Sequence, residues 1–278
     1  MRKRRHCDCD AGTIVASFQD VTSHRRERSL RILRDGLSES EPSSNWLLAS
    51  LPPPVFAYLT PHLERVTLDR KQVLFRAHEG TGSVYFPTTA VVSLVGALDS
   101  GETLEVGLTG RDGIAGAVAL PNFDSMPCDG IVQIRGVAHR LDAALFRQSL
   151  RNFEALSLAV GRYAHLLLVR SMQMQLCDMF HPVEQRLTRW LLTVSDLLAS
   201  ADVPLTHELL ATMLGVRRPT VTLVAGSLQR AGLIDEKRGQ LTIRDRERLE
   251  TACCDCYRLM CEQQEKVLGY SCTGAVAA

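Results

Sequence analysis

Residues 217–222 carry the side chains of this sequence best suited to contacting nucleic acid. Arg217, Arg218, Thr220 and Thr222 lie close together in this segment. A guanidinium group can bind a phosphate or a guanine edge through two parallel hydrogen bonds, and threonine hydroxyls can bind either group. Two adjacent guanidinium groups would be costly to bury in a protein core, because both would lose their hydration. We therefore predict that these four residues contact the bases of double-stranded DNA.

The surrounding segment, residues 205–234, predicts two helices joined by a tight turn. Thr206 is placed to cap the first helix by accepting a backbone N–H bond, and Gly215 allows the positive φ of a tight turn. Pro219 falls in the first turn of the second helix, where its missing N–H is not needed, and Gly232 follows that helix. The pattern favours a helix-turn-helix whose second helix is presented outward. The alternative is a helical hairpin buried in a core.

A short hairpin is predicted after the second helix. Residues 233–243 are typical of two short strands that meet at the turn Lys237-Arg238-Gly239. This is the shape of a wing beside a helix-turn-helix. We predict that Lys237 and Arg238 contact the DNA backbone, which adds affinity that falls with salt rather than base discrimination.

A long apolar pattern precedes this region. Residues 143–180 have helical periodicity without a proline or turn signal, which predicts one helix of about 35 residues, or about 50 Å. Side chains alternate three and four positions apart, with one charged interruption at Arg170, and this spacing predicts a parallel homodimer seam. The seam residues are Phe153, Leu156, Val160, Tyr163, Leu167 and Met174. The alternative is a helix packed on its own β domain, although a single small barrel would not cover such a length.

Residues 45–142 predict a compact β domain after a short helical segment. Five apolar runs recur about every ten residues between 66 and 108, and two more follow at 131–134 and 137–141. This spacing is typical of a sandwich or barrel. No nucleophile or phosphate-loop motif accompanies it, and His62, His78 and His139 are isolated, so we predict no enzyme and no catalytic residue. An enzyme acting in this domain is the less favoured alternative.

The composition is that of a soluble globular protein. The chain has 278 residues, of which 45% are hydrophobic and 23% are charged, with a formal net charge of +1. Residues 1–44 are rich in arginine and serine and lack periodicity, which predicts a disordered basic tail. No apolar run reaches the roughly 18–20 residues that span a bilayer, and no secretory signal follows the basic start. We therefore expect a cytoplasmic protein with no membrane association.

The nine cysteines are expected to be reduced thiols, because their number is odd and no signal exports the chain. Cys253, Cys254, Cys256 and Cys261 fall on a predicted C-terminal helix that begins near Asp245. One helix cannot direct four thiols to one metal ion, because its side chains point around a cylinder. We predict no metal and no cofactor, and we interpret these thiols as buried small side chains. A redox switch at Cys253, Cys254 and Cys256 is the alternative.

The long seam, helix-turn-helix and wing behind a β domain resemble the Crp/Fnr superfamily of bacterial transcription regulators, over about residues 45–257. The resemblance implies an α+β fold and a homodimer that places a recognition helix from each protomer in the major groove of a palindromic operator. RNA polymerase is expected as a further partner. The implied domains are a basic tail at 1–44, a cyclic-nucleotide-binding-like β-roll sensor domain at 45–142, a dimerisation helix at 143–180, a Crp-type winged helix-turn-helix DNA-binding domain at 181–257 and a C-terminal tail at 258–278.

Individual residues of the DNA-binding region also resemble those of the family. By position, Arg218 resembles the family's guanine-contacting arginine, and Thr206 resembles its phosphate-contacting threonine. Pro219 and Leu223 depart from the acidic residue and the second arginine that often occupy these places. We therefore expect an operator that differs from those of the best-known members.

The β domain departs further from the family pattern. Nucleotide-binding members hold the ribose with a glutamate and the cyclic phosphate with an arginine and a hydroxyl. Residues 114–130 contain no Lys, Arg or Glu, so we predict no dependence on cyclic AMP and leave the effector open. Cys7, Cys9 and Cys128 are similar to the cysteines of iron–sulfur members, but their number and spacing do not fit. A thiol- or small-ligand-gated regulator of the same fold is the alternative.

Overall fold

The computed structural model of the protein describes residues 41–116 and 125–272. The predicted basic tail lies outside the described residues except for residues 41–44, and Cys7 and Cys9 lie outside them too. Residues 117–124, part of the segment compared with the nucleotide pocket, are also outside. Within the described part, no helix combines the length and the hydrophobicity needed to cross a membrane.

Among the described residues, seven strands form the N-terminal β domain. They are β1 Glu64–Leu68, β2 Val73–Phe75, β3 Ser83–Pro87, β4 Val91–Ala97, β5 Thr103–Thr109, β6 Asp129–Ile134 and β7 Gly136–Asp142. One antiparallel sheet has the order β1-β7-β3 and the other the order β2-β6-β4-β5. Apolar side chains from both sheets, such as Leu68, Phe75 and Val132, form a common core. The predicted β fold is confirmed, and each predicted apolar run falls on one of these strands.

The helices directly before and after these strands pack against the β domain. They are α1 Trp46–Ala49, α2 Pro53–Leu59, α3 Ala143–Asn152 and α4 Glu154–Phe180. Leu48, Phe86, Phe146 and Leu156 belong to one buried cluster that joins these helices to β3. The long helix α4 therefore packs on the β domain of its own chain.

The prediction of a single helix over residues 143–180 is wrong, because Phe153 separates α3 from α4. Asp142 caps α3 by accepting the N–H bonds of Ala144 and Leu145, and Phe153 has an extended backbone with φ −127° and ψ 102°. The Phe153 ring packs against Tyr58, with 4.9 Å between ring centroids. No glycine or proline marks this break in the sequence. What accompanies it is a tertiary contact, between Phe153 and Tyr58. The remaining helix α4 has 27 residues.

The C-terminal region is a winged helix-turn-helix, as predicted. Its helices are α5 Val183–Leu198, α6 His207–Leu214, α7 Arg218–Arg230, α8 Arg246–Ala252 and α9 Asp255–Leu268, and its strands are β8 Asp202–Val203, β9 Ile234–Lys237 and β10 Gln240–Ile243. The strands form an antiparallel sheet in the order β8-β10-β9. Its core includes Leu187, Leu210 and Val221, and Leu108 and Ile134 of the β domain pack into the same cluster.

The C-terminal end differs from the prediction in two ways. The segment expected to be a tail, residues 258–278, is helical as far as Leu268. The single helix expected from Asp245 is interrupted, because Cys253 and Cys254 have extended backbones between α8 and α9. This break changes the directions in which the cysteines point.

Candidate nucleic-acid interface

The turn between α6 and α7 has the geometry that the sequence predicts. Thr206 Oγ1 accepts a hydrogen bond from the Leu209 N–H at 3.3 Å and so caps α6. Gly215 ends α6 in the left-handed conformation, with φ 61°, where a side chain would be strained. Arg217 has an extended backbone directly before α7, and Pro219 stands in the first turn. The turn therefore fixes the direction in which α7 leaves α6.

Helix α7 has one buried face and one exposed face. The buried side chains are Val221, Ala225 and Leu228. On the other face, Arg217, Arg218 and Thr222 are exposed and Thr220 is half-buried. Leu223 lies among them with 70% of its surface exposed. The structure thus brings the four predicted base-contacting residues together at the outer N-terminal half of one helix.

A chain of polar contacts joins α7 to the wing. The Thr222 hydroxyl donates to the Arg218 carbonyl at 3.2 Å and lies 3.0 Å from His207 Nδ1. His207 Nε2 in turn lies 3.0 Å from a Glu236 carboxylate oxygen on β9. Sequence reasoning did not single out His207 or Glu236, because their partners lie on other elements. These contacts hold the wing and the two helices at fixed positions relative to one another.

The wing presents its cations to solvent. Lys237 and Arg238 are exposed at the turn between β9 and β10, where Arg238 has φ 36° and Gly239 has φ 84°. Lys237 Nζ lies 3.5 Å from Asp235, which also accepts a bond from Arg244 at 2.7 Å. Because exposed ion pairs of this kind are weak, Lys237 can turn to a phosphate at small cost.

The β domain contacts the helix-turn-helix at its first helix. Arg70 Nη2, in the turn after β1, donates to Thr206 Oγ1 at 3.3 Å. Leu104 on β5 lies against Gly215. Thr206, the predicted phosphate contact, is exposed but already hydrogen-bonded in this arrangement. A change in the β domain therefore has a direct path to the DNA-binding helices.

A buried carboxyl group connects β5 to α5. Glu105 is 2% exposed, accepts a bond from Trp190 Nε1 at 2.8 Å and is also bonded to the Ser93 hydroxyl. Burial raises the pKa of Glu105 from 4.5 to about 7, against the opposing effects of these hydrogen bonds and of Arg189. Sequence reasoning missed this residue, since nothing in a strand pattern marks which acidic side chain is buried.

The predicted dimer seam on α4 is wrong, because its side chains face the chain's own core. Leu156, Val160, Tyr163 and Met174 are buried. Phe153 and Leu167 are half-buried and pack against the same domain. A heptad spacing identifies an apolar stripe but not what covers it, and here the β domain covers it.

A second apolar stripe on α4 is exposed instead. Its residues are Leu158, Leu168, Met172, Leu176, Met179 and Phe180, each between 52% and 76% exposed. From Leu168 to Met179 they recur three or four positions apart, and Phe180 follows four positions after Leu176, so they lie along one side of the helix. Large apolar side chains in such a continuous row are characteristic of an interaction surface.

The charged interruption in the α4 pattern is explained by a buried ion pair. Arg170 Nη1 donates to Asp112 Oδ2 at 2.5 Å, and both side chains are buried. Arg170 also bonds to Gln264 on α9. The nearby Asp112 charge raises the pKa of Arg170 despite the opposing effect of burial. This pair ties α4 to the β domain and to the C-terminal helix.

The C-terminal cysteines do not share one helix. Cys254 Sγ lies 3.6 Å from Cys177 Sγ on α4, and Cys256 Sγ lies 3.4 Å from His181 Nδ1. The pKa of the Cys177 thiol is raised by its contact with Cys254 and by burial. Cys253 is half-buried and near the Gln185 carbonyl.

One pair of cysteines departs from the expectation of reduced thiols. Cys261 and Cys272 are joined by a disulfide. It connects α9 to the residues that follow this helix.

A winged helix-turn-helix with an exposed, arginine-bearing second helix defines a DNA-binding protein. Residues 185–252 match the family of Crp-like helix-turn-helix domains. Comparison with the curated proteins gives no match.

Solved structures of Crp/Fnr-type regulators have the same fold. The FixK2 protein of Bradyrhizobium japonicum is 15% identical with a TM-score of 0.60, covering 69% of this chain and 98% of its own. The c-di-GMP-responsive global regulator CLP of Xanthomonas campestris is 18% identical with a TM-score of 0.56, covering 70% and 100%. A CRP-family transcriptional regulator of Thermus thermophilus is 22% identical with a TM-score of 0.55, covering 67% and 95%.

The predicted resemblance is therefore confirmed. Residues 185–252 belong to the family of Crp-like helix-turn-helix domains, and the chain has the fold of the solved Crp/Fnr-type regulators.

Proposed function

We propose that the protein binds a palindromic DNA operator as a homodimer, with α7 of each protomer in the major groove. The observation that carries this proposal is the exposed N-terminal half of α7, where Arg217 and Arg218 face solvent while Val221 and Ala225 anchor the opposite face. An arginine can discriminate guanine through its O6 and N7 atoms. Thr206, Lys237 and Arg238 flank this helix, where they are placed to bind the phosphate backbone.

A second copy of the chain is the proposed partner of the exposed stripe on α4. The stripe runs from Leu158 to Phe180 along a helix that ends directly before the DNA-binding domain. Burying it against its twofold mate would remove several large apolar side chains from water, each worth about 1.5–3 kcal/mol. Two helices paired in this way would carry two copies of α7, as a palindrome requires.

The effector of this regulator is proposed not to be cyclic AMP. Among the described residues of the β domain, 41–116 and 125–142, no lysine or arginine side chain is buried. The core cluster shared by the two sheets is apolar, and Phe75 packs directly against Gly130. A buried cyclic phosphate would lose its hydration without gaining a cation.

Gating by a small ligand or by thiol oxidation is the second candidate, and one observation favours it. The Arg70 contact to Thr206 and the packing of Leu104 on Gly215 join the β domain to the DNA-binding helices. A signal that moves β5 or the turn after β1 would therefore release Thr206 for a phosphate. Measuring DNA affinity with and without reductant separates thiol gating from constitutive binding.

The proposed place of action is the cytoplasm, with RNA polymerase as the further partner, because a promoter-bound regulator acts through the polymerase. The operator is found by selecting the genomic fragments that the purified protein retains.

The test of the DNA interface compares Arg218→Ala with Lys237→Ala on the selected operator and on random DNA. Arg218→Ala should cost about 1–3 kcal/mol on the operator and relax discrimination at one base pair. Lys237→Ala should weaken binding to operator and to random DNA equally, and it should reduce the salt dependence of the binding. Arg230→Ala, an exposed arginine at the far end of α7, is the matched control. If Arg218→Ala weakens binding to operator and to random DNA alike, α7 does not contact the bases.

A further inference from the structure

Three cysteines and a histidine from two separate parts of the chain converge at one point. Cys177 lies in the last turn of α4, and His181 directly follows that helix. Cys254 precedes α9, and Cys256 lies in its first turn. The three sulfurs and a ring nitrogen of His181 all lie within 4.8 Å of one another. The three cysteines are buried, and the histidine is half-buried.

Two of the six distances among these four atoms match the edges of a tetrahedral metal site. Zinc–sulfur bonds of about 2.3 Å and zinc–nitrogen bonds of about 2.0 Å place two sulfurs about 3.8 Å apart, and a sulfur and a nitrogen about 3.5 Å apart. The observed separations are 3.6 Å for Cys177 and Cys254, and 3.4 Å for Cys256 and His181. Both lie close to the edges of such a tetrahedron.

Two N–H donors are directed at the sulfurs of this cluster. Arg189 Nε donates to Cys177 Sγ at 3.2 Å, and Gln173 Nε2 donates to Cys256 Sγ at 3.1 Å. Donors of this kind, directed at metal-bound sulfur, orient the ligands and stabilise their negative charge.

The charged side chains near the sulfurs also favour a zinc site with three thiolates. Arg189 is 2% exposed. Among the described residues, Asp178 is the carboxylate that forms ion pairs with both Arg189 and Arg186, at 3.8 Å and 2.9 Å. Two arginines and one aspartate leave one positive charge while Glu105, which also interacts with Arg189, is protonated. Three thiolates with one divalent cation carry one negative charge, which would offset it.

We propose that Cys177, His181, Cys254 and Cys256 bind one zinc ion. All four ligands come from the protein, which is the arrangement of a structural site rather than a catalytic one. Zinc binds the thiolates and displaces their protons to solvent. The ion would join the end of α4 to the start of α9, at the junction where His181 and Pro182 lead into the DNA-binding domain.

This site was missed in the sequence because the cysteines near residue 254 were considered as one helix. The break at Cys253 and Cys254 separates them, and the other two ligands lie about 75 positions earlier. Cys253 and Cys261 lie near Cys254 and Cys256 in the sequence but are not among the four ligands.

The test measures metal in the full chain purified under reducing conditions. Elemental analysis should find one zinc ion per chain, and Co²⁺ added to the chelator-treated chain should give the charge-transfer and d–d bands of tetrahedral thiolate cobalt. Cys254→Ser and Cys256→Ser should lose bound zinc and these bands. Cys253→Ser and Cys128→Ser, one adjacent to the site and one in the β domain, should retain both.

A graded variant separates the site from a general loss of folding. Gln173→Leu removes one N–H donor to Cys256 and leaves all four ligands, so it should weaken zinc binding about 10–100-fold. Circular dichroism confirms that each variant is folded.

Three results would overturn the proposal. The first is a reduced wild-type chain that holds no zinc and gives no tetrahedral cobalt spectrum. The second is an equal loss of zinc in Cys253→Ser and Cys254→Ser. The third is a disulfide between Cys177 and Cys254 that persists in reductant and prevents zinc from binding, as detected by mass spectrometry.

Discussion

Replacing Glu105 by glutamine should make the protein more stable above neutral pH and remove part of the pH dependence of its unfolding. Glu105 is buried between β5 and α5, where it accepts a hydrogen bond from Trp190 Nε1 at 2.8 Å. Glutamine keeps an oxygen for this bond and gains an N–H for the Ser93 hydroxyl. The substitution therefore removes the charge but keeps the hydrogen bonds and the volume.

The magnitude follows from the raised pKa. Burial shifts the pKa of Glu105 from 4.5 to about 7, while Arg189 lowers it and Asp178 raises it. The folded chain therefore binds this proton more tightly than the unfolded chain. The resulting stabilisation is complete below pH 4.5 and is lost as the pH rises through about 7. At about 1.4 kcal/mol for each tenfold change in proton affinity, the loss amounts to about 3 kcal/mol.

The assay is urea unfolding at a fixed protein concentration over a series of pH values from about 4.5 to about 8. The free energy of unfolding of Glu105→Gln, relative to wild type, should increase by about 3 kcal/mol across this range. Glu102→Gln is the matched control, because Glu102 lies just before β5 but is exposed. A difference between Glu105→Gln and wild type that does not change with pH would refute this account of the buried carboxyl.

Three further predictions test the dimer, the buried ion pair and the effector. Met172→Glu places a negative charge on the exposed stripe of α4 in each protomer. The two charges would repel each other in the proposed dimer, so the chain should shift towards monomer in analytical sedimentation. Leu156→Val, a change in the buried stripe, should leave the oligomeric state unchanged in the same measurement. Arg170→Leu leaves Asp112 buried without its cation and should cost about 3–5 kcal/mol in urea unfolding, whereas the exposed Arg151→Leu should cost less than about 0.5 kcal/mol. Isothermal titration with cyclic AMP should show no binding at micromolar concentrations, and micromolar affinity would contradict the proposal that the β domain has no cation for a buried phosphate.

Local signals were enough to predict the winged helix-turn-helix. The Thr206 cap, the left-handed Gly215, Pro219 in the first turn and the Lys237-Arg238-Gly239 turn each act through the backbone of neighbouring residues. Such effects depend on sequence spacing alone, so they are visible without coordinates. For the same reason, the seven strands of the β domain could be predicted from apolar runs and turns.

The sequence by itself therefore determined the fold class, the order of the domains and the helix that presents the arginines. Only the tertiary structure decided which apolar stripe of α4 is buried, why Arg170 interrupts it, and which cysteines meet His181. Periodicity shows that a face is apolar, but the element that covers this face comes from a distant part of the chain. Cys177 and Cys254, or Arg170 and Asp112, meet only because α4 packs at once on the β domain and on α9.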